Sequence, residues 1–286
     1  MKARKYVLIT VCMIALKLFG QKPIVLNSEY EHDKWKTVPR DVIREFAAFT
    51  VSFDGADDNN GDGDADLWGI PEWVAYEIKR VQNEHNLEGR PKWFTDDELI
   101  NCGIAPNDNT YAVKGTRELS IVKDNYRFVR GHMCPKDAAE RISEDAAYNT
   151  HTVLNAVPQL QWQNNGVWKE LENKCTDWAD EYGSVWVVCG PVFFNMEPAM
   201  WLGQDGEKMA AIPDALFKII IRENGGNTEV LAFVIPNIIK ETDMVLENFL
   251  TTVDYVEEIT ELNFLTALPD DIQKELEKTK REKFSQ

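Results

Sequence analysis

The chain reads as an α+β protein rather than a doubly wound α/β one. Two β-branched runs, Ala215 to Ile221 and Val230 to Ile235, flank a turn at Asn224-Gly225-Gly226-Asn227, which predicts an antiparallel hairpin. Helical and strand patterns are mixed along the chain instead of alternating strictly, so repeated βαβ units are not indicated. With 286 residues and 44% apolar residues, including nine Trp and thirteen Phe, a large core is affordable.

The N-terminus stands outside that core. Lys2, Arg4 and Lys5 precede an apolar run from Tyr6 to Leu18, broken only by Lys17. The run is shorter than the ~20 residues that span a bilayer. Residues 1–20 therefore read as a signal peptide, and the chain is expected to be secreted or periplasmic, with no stable membrane association after cleavage. Removing that segment takes four cations and no acids, and the formal charge moves from −17 to −21. So acidic a chain lacks the basic face of a sequence-specific DNA binder. Attraction to phosphate must be local.

Residues 21–69 read as a lead-in. Within it, Asp58, Asn60, Asp62, Gly63, Asp64 and Asp66 match the first part of a calcium loop, but Gly69 stands where the bidentate Glu belongs. Glu72 is a substitute carboxylate; a solvated acidic loop is the alternative. The main domain is expected over 70–270. Trp73 to Ile78 predicts its first strand, and Tyr126 to Arg130 another. Ser143 to Thr150 predicts a short helix. Thr152 to Ala156 predicts a strand ended by Pro158. Trp168, Leu171, Cys175 and Trp178 recur at three and four residues and predict a helix over 166–181, ended by Gly183. Ser184 to Cys189 predicts a central strand stopped by Gly190-Pro191, and Val253 to Leu262 a helix. The stretch 271–286 is a charged tail, helical or disordered. Cysteines 102, 134, 175 and 189 remain in a mature chain, an even number that suggests two disulfides in an exported protein. The pairing favoured is Cys175–Cys189 with Cys102–Cys134; buried thiols are the alternative.

The chemistry concentrates in two stretches, Val129-Arg130-Gly131-His132 and Asn164-Asn165-Gly166-Val167-Trp168-Lys169-Glu170-Leu171-Glu172. His132 is one of four histidines and offers a base that titrates near neutral pH. Asn164 offers a hard amide oxygen; magnesium prefers oxygen ligands and keeps several waters. Glu172, about 80° round an ideal helix from Asn164, could orient a metal-bound water. Arg130 suits a phosphate. Lys136 and Arg127 could add positive charge, and Asn155 a hydrogen bond to substrate. A base, a cation and a metal ligand are what phosphodiester hydrolysis requires.

These stretches, with Leu154-Asn155-Ala156-Val157-Pro158-Gln159 and Val187-Val188-Cys189-Gly190-Pro191, give four motifs in the order and spacing of one family. The chain resembles the DNA/RNA non-specific endonucleases, the ββα-metal nucleases that include endonuclease G. The resemblance covers roughly residues 70–270. It implies a central, mainly antiparallel sheet flanked by helices, with a ββα-metal finger carrying the site. It implies His132 as general base, Asn164 as direct ligand of Mg2+ (or Mn2+), Glu172 acting through metal-bound water, and Arg130 on the phosphate. The implied substrates are DNA and RNA without sequence preference, cut to 5′-phosphate and 3′-hydroxyl ends; a homodimer is compatible with it. Val129 departs from the family's usual Asp, and Thr176 from a frequent Arg. Two other readings compete: a phosphodiesterase for small nucleotides, and a non-catalytic calcium-dependent extracellular binding module.

Overall fold

The computed structural model describes residues 26, 29–38, 42–55, 68–82, 85–112, 128–195, 197–204 and 206–285. The signal segment 1–20 and the acidic loop residues Asp58, Asn60, Asp62, Asp64 and Asp66 lie outside them, as does Arg127. Eleven strands are described: β1 (Val42–Glu45), β2 (Thr50–Phe53), β3 (Pro71–Lys79), β4 (Phe128–His132), β5 (Ala156–Leu160), β6 (Ser184–Val192), β7 (Trp201–Leu202), β8 (Ala210–Ala211), β9 (Ala215–Asn224), β10 (Asn227–Pro236) and β11 (Leu250–Thr251). The α-helices are α1 (Asp97–Asn101), α2 (Lys136–Ala139), α3 (Glu144–Asn149), α4 (Gln161–Gln163), α5 (Lys169–Tyr182), α6 (Val253–Thr260) and α7 (Asp270–Glu277).

Seven strands form one sheet in the order β1-β2-β3-β6-β9-β10-β11, with every neighbouring pair antiparallel. The α+β class is what the structure has. The hairpin falls at β9–β10, where Asn224 pairs with Asn227 across Gly225 and Gly226. Both glycines have positive φ, as so tight a turn between right-twisted strands demands.

Strand alternation splits the core in two. Val74, Tyr76, Ile78, Val187, Leu216 and Ile220 face one layer, with Leu171, Cys175 and Ala179 of α5. Trp73, Ala75, Trp186, Val188, Phe217 and Ile219 face the other, with Val253 and Val256 of α6. Because both faces are covered, the central strands read as continuous apolar runs. The predicted helix face holds: Trp168, Leu171 and Cys175 are wholly buried.

Two segments differ from expectation, and a third, the tail, takes the helical one of its two expected forms. β1 and β2 extend the sheet, so the stretch 21–69 contributes structure to the same layer as β3. Residues Val153–Asn155 form a 3-10 turn, because the Thr152 hydroxyl caps it by accepting from Leu154 N–H (3.3 Å). The strand begins only at Ala156 and passes through Pro158, tolerated because β5 pairs with β4 alone. The charged tail is ordered: α7 is helical, and Phe284, 3% exposed, packs edge-on against Trp178 and Tyr182. Among the described residues no helix is long and apolar enough to cross a membrane.

The disulfide expectation is overturned. Cysteines 102, 134, 175 and 189 are free thiols. The Cys134 thiol donates to Ala48 O (3.6 Å) and that of Cys189 to Met133 O (3.3 Å), so each sits in a backbone niche of its own. Cys102 is exposed beyond the end of α1 while Cys134 is buried in the core. Burial raises the thiols of Cys175 and Cys189 to about 12, which suppresses the thiolate needed for exchange. A thiol reagent is therefore expected to label Cys102 in native protein, and Cys134, Cys175 and Cys189 only after unfolding. Reducing agent should leave the melting temperature unchanged; a fall of several degrees would contradict this.

Candidate active site

β4 and β5 form a two-stranded ribbon with His132 opposite Ala156 and Arg130 opposite Pro158. Between them, Gly131 lies over Gln159: a Cβ at 131 would overlap the Gln159 side chain, so only glycine lets the ribbon close here. The Gln159 amide donates to Gln163, tying β5 to the helical segment that follows. That segment is α4, a π-helical turn over Asn164–Trp168, and then α5. Gly166 breaks the turn (φ −100°, ψ −113°), and a Cβ there would strike Met244 Sδ. The offset between Asn164 and Glu172 expected of an unbroken helix therefore does not apply. Ribbon and helix together make the ββα arrangement.

The half-buried imidazole of His132 packs against Trp93 (centroids 4.7 Å) and against His151 (5.0 Å, edge-on). Its Nε2 is enclosed without a hydrogen-bond partner among the described residues. Burial, reinforced by His151, Arg90 and Lys169, pushes its pKa down to about 3. At neutral pH the ring is uncharged and able to take a proton. Trp93 and His151 meet because Phe94 and Thr152 form an isolated parallel bridge, with Phe94 N–H donating to His151 O (2.9 Å). Sequence reasoning missed Arg90, Trp93 and His151. The one available signal was that His151 belongs to a set of four histidines.

Arg130 is held by its neighbours. Its guanidinium lies 5.6 Å from the Trp93 ring and 5.7 Å from the Tyr111 ring. It donates to Asp108 O (3.1 Å) and pairs with the Asp108 carboxylate. Asp108, absent from the sequence reasoning, thus brings a carboxylate to Arg130 although position 129 is Val.

Asn155 is wholly buried. Its Oδ1 accepts from Cys134 N–H (2.8 Å), and its Nδ2 donates to Cys134 O (2.9 Å) and Thr150 O (3.0 Å). The structure places this amide under the loop after His132, engaged with backbone rather than open to substrate. Lys136 is paired with Glu140 (2.7 Å), one helical turn on.

Asn164 is half-buried; its Nδ2 donates to Asn165 (3.2 Å), and its amide oxygen has no donor among the described residues. Glu172 is buried, and desolvation raises its pKa against the pull of Lys218 and Lys169. Lys169 lies 3.7 Å from Glu172 and donates to Asp137 (2.7 Å). Lys169 acts electrostatically on both His132 and Glu172, so the ribbon's base and the first turn of α5 lie within electrostatic reach of one cation. Lys218, wholly buried on β9, sits 3.9 Å from the Trp168 ring beneath them. An amide oxygen without a donor among the described residues and a carboxylate on the helix that follows are hard oxygen groups, of the kind that suits a magnesium-like cation rather than zinc. A separate acidic trio, Asp254, Glu257 and Glu277, has ligand atoms within 4.8 Å of one another but lies on α6 and α7, against the opposite face of the sheet.

Outside the site, His32 reports on pH. Its Nδ1 accepts from Glu77 N–H (3.2 Å) while Nε2 donates to Ala47 O (3.1 Å), so the fold requires the neutral ring. Burial lowers its pKa from 6.5 to about 4. Below pH 6.5 the unfolded chain takes a proton that the folded chain refuses, so stability from this group falls as pH drops towards 4. Glu257, raised to about 7 by desolvation, works in the opposite sense between pH 4.5 and 7. The comparison must therefore be made residue by residue. In urea titrations the wild type should lose more stability than His32→Gln between pH 7 and 5, by up to about 1.4 kcal/mol per pH unit. Equal losses would contradict the assignment.

Residues 62–271 match the family model described as DNA/RNA non-specific endonuclease. Among curated proteins, a nuclease of Serratia marcescens is 31% identical over 211 residues, covering 71% of each chain. The mitochondrial nuclease EXOG of Danio rerio is 32% identical, over 69% of this chain and 56% of its own length. Mitochondrial endonuclease G of Homo sapiens is 30% identical, over 68% of this chain and 63% of its own. The chain thus spans less than two thirds of the length of both of these mitochondrial relatives. A crystal structure of an EndoG/EndoGI complex aligns with a TM-score of 0.60 at 20% identity, over 83% of this chain and 91% of that one, a likeness of fold.

Proposed function

Because the chain belongs to the DNA/RNA non-specific endonuclease family, we propose that it hydrolyses phosphodiester bonds of DNA and RNA without sequence preference. The observation that carries this reading is His132 at the end of the ribbon, its Nε2 enclosed without a partner among the described residues and within electrostatic reach of Lys169 on the helix that bears Glu172. His132 takes the proton of the attacking water; a positioned base of this kind contributes roughly 100- to 10,000-fold. Arg130, fixed by Asp108 and flanked by two aromatic rings, holds a non-bridging phosphate oxygen. Asn164 would hold a divalent metal, magnesium or manganese, with Glu172 orienting its water shell. When bound, that ion supplies charge stabilisation at the phosphate and the leaving oxygen. Lys169 sets the electrostatics between base and helix. In-line attack with loss of the 3′ oxygen leaves 5′-phosphate and 3′-hydroxyl ends. The apolar run after Lys5 supports export, to the cell exterior or periplasm.

The test is digestion of supercoiled plasmid and total RNA by folded protein, with magnesium or with EDTA. The wild type should degrade both polymers only with metal. His132→Ala and Asn164→Ala should each lose at least about 100-fold in rate while keeping the wild-type melting curve. Absence of cleavage by the folded wild type, with magnesium or manganese, would sink the proposal.

A further inference from the structure

At one end of the central sheet, away from His132, lies a cavity of about 360 Å3, within the roughly 300–1,000 Å3 usual for small-molecule sites. The ends of β2, β3 and β6 meet the C-terminus of α6 there. Its carboxylates are Asp54, Glu72, Glu258 and Glu261, and no lysine, arginine or histidine is among the described residues that line it. Asp54 accepts from Trp68 N–H and feels Lys208 behind it; Glu72 accepts the Ser52 hydroxyl (2.7 Å). Glu258 and Glu261 are exposed and form no ion pair among the described residues.

Two further features share the sign of this field. Helix α6 ends at the cavity, where Glu261, left-handed at φ 55°, closes it by donating to Glu257 O (2.8 Å). The remaining last-turn carbonyls give that end a partial negative charge. The opposite wall is aromatic: Trp68 meets Phe193 edge-on at 4.4 Å, and Phe194 stays 55% exposed, its backbone N–H held by Asp214 (2.9 Å). An exposed aromatic face beside carboxylates is the chemistry that recognises ammonium and guanidinium groups. The carboxylates do not converge for a metal ion: among the described residues only Asp254, Glu257 and Glu277 bring three such groups within 4.8 Å. A phosphate would be repelled.

We propose that this cavity binds an organic cation, an alkylguanidinium or alkylammonium chain, with its charge among Glu72, Glu258 and Glu261 and its stem against Trp68 and Phe194. The inference rests on the cavity alone and does not depend on the catalytic reading. Such a ligand comes from two sources, a free polyamine or the side chain of a basic polypeptide. The experiment is isothermal titration of the whole protein, at fixed ionic strength, with agmatine, spermidine, a short arginine-rich peptide and a neutral amide of agmatine's length. Saturable binding of at least one cation, but not of the amide, is expected. Stronger binding of spermidine would assign the site to free polyamines, and of the peptide to a basic chain. Glu258→Gln/Glu261→Gln should weaken binding at least about tenfold, and Phe194→Ala about threefold. The melting temperature and circular dichroism of both variants should match the wild type and certify their fold. Absence of saturable binding by any of the cations, equal binding of the amide, or unchanged affinity in the folded variants would overturn the proposal.

Discussion

The geometry of the site depends on one buried amide. Asn155 engages Cys134 through both its oxygen and its nitrogen, reaches Thr150 with the same nitrogen, and accepts Met133 N–H on its backbone carbonyl (3.0 Å). These bonds lock the residues just after His132 to the residues just before β5. They also fix the end of α3, and with it His151, whose ring packs on His132. A buried amide so fully paired is costly to disturb, because each orphaned partner would lose about 1–3 kcal/mol. The imidazole position is thus supported from beneath by a wholly buried residue.

The same sheet that buries the core on both faces also carries charge through it. Lys218 lies wholly buried below Trp168, and Arg222 pairs with Glu229 (2.9 Å) on the hairpin while stacking 3.7 Å from Tyr182. The C-terminal segment closes over that pair, through Phe284 and through Arg281 to Glu229 (3.3 Å). Desolvating such groups is expensive, and packing of the sheet against α5 and the tail must offset it. The proposed substrate is a polyanion, whereas the chain carries a formal charge of −17. Arg90, Arg130 and Lys169 lie at the site, but Asp108 holds Arg130 while Asp137 and Glu172 hold Lys169, so these cations act at short range rather than as a broad positive face.

Much of this was legible in the sequence, and the failures have physical causes. The hairpin at 224–227 and the apolar stripe of α5 are local patterns, so both were readable. His132 and Asn164 stood out because their motifs combine a rare base, a glycine and an amide. Trp93, Asp108 and His151 did not, since a parallel bridge and a 3-10 turn over Asp108–Ala112 bring them to Arg130 and His132 from distant positions. Asn155 is recognisable as a special residue, but its partners are backbone groups that no sequence pattern displays. The strand expected at 152–156 was displaced by a side-chain cap at Thr152, and the cysteine count gave no warning that Cys134 and Cys189 sit in separate backbone niches while Cys102 is exposed.

Chemical rescue of the base tests the account most directly. His132→Gly should fold, cleave plasmid poorly with magnesium, and regain activity as imidazole is added, the gain rising with the fraction of unprotonated imidazole. Asn164→Ala should show no such rescue. A folded His132→Gly that keeps the wild-type rate, or that stays inactive in imidazole while still binding manganese, would contradict the assignment of His132 as the proton acceptor.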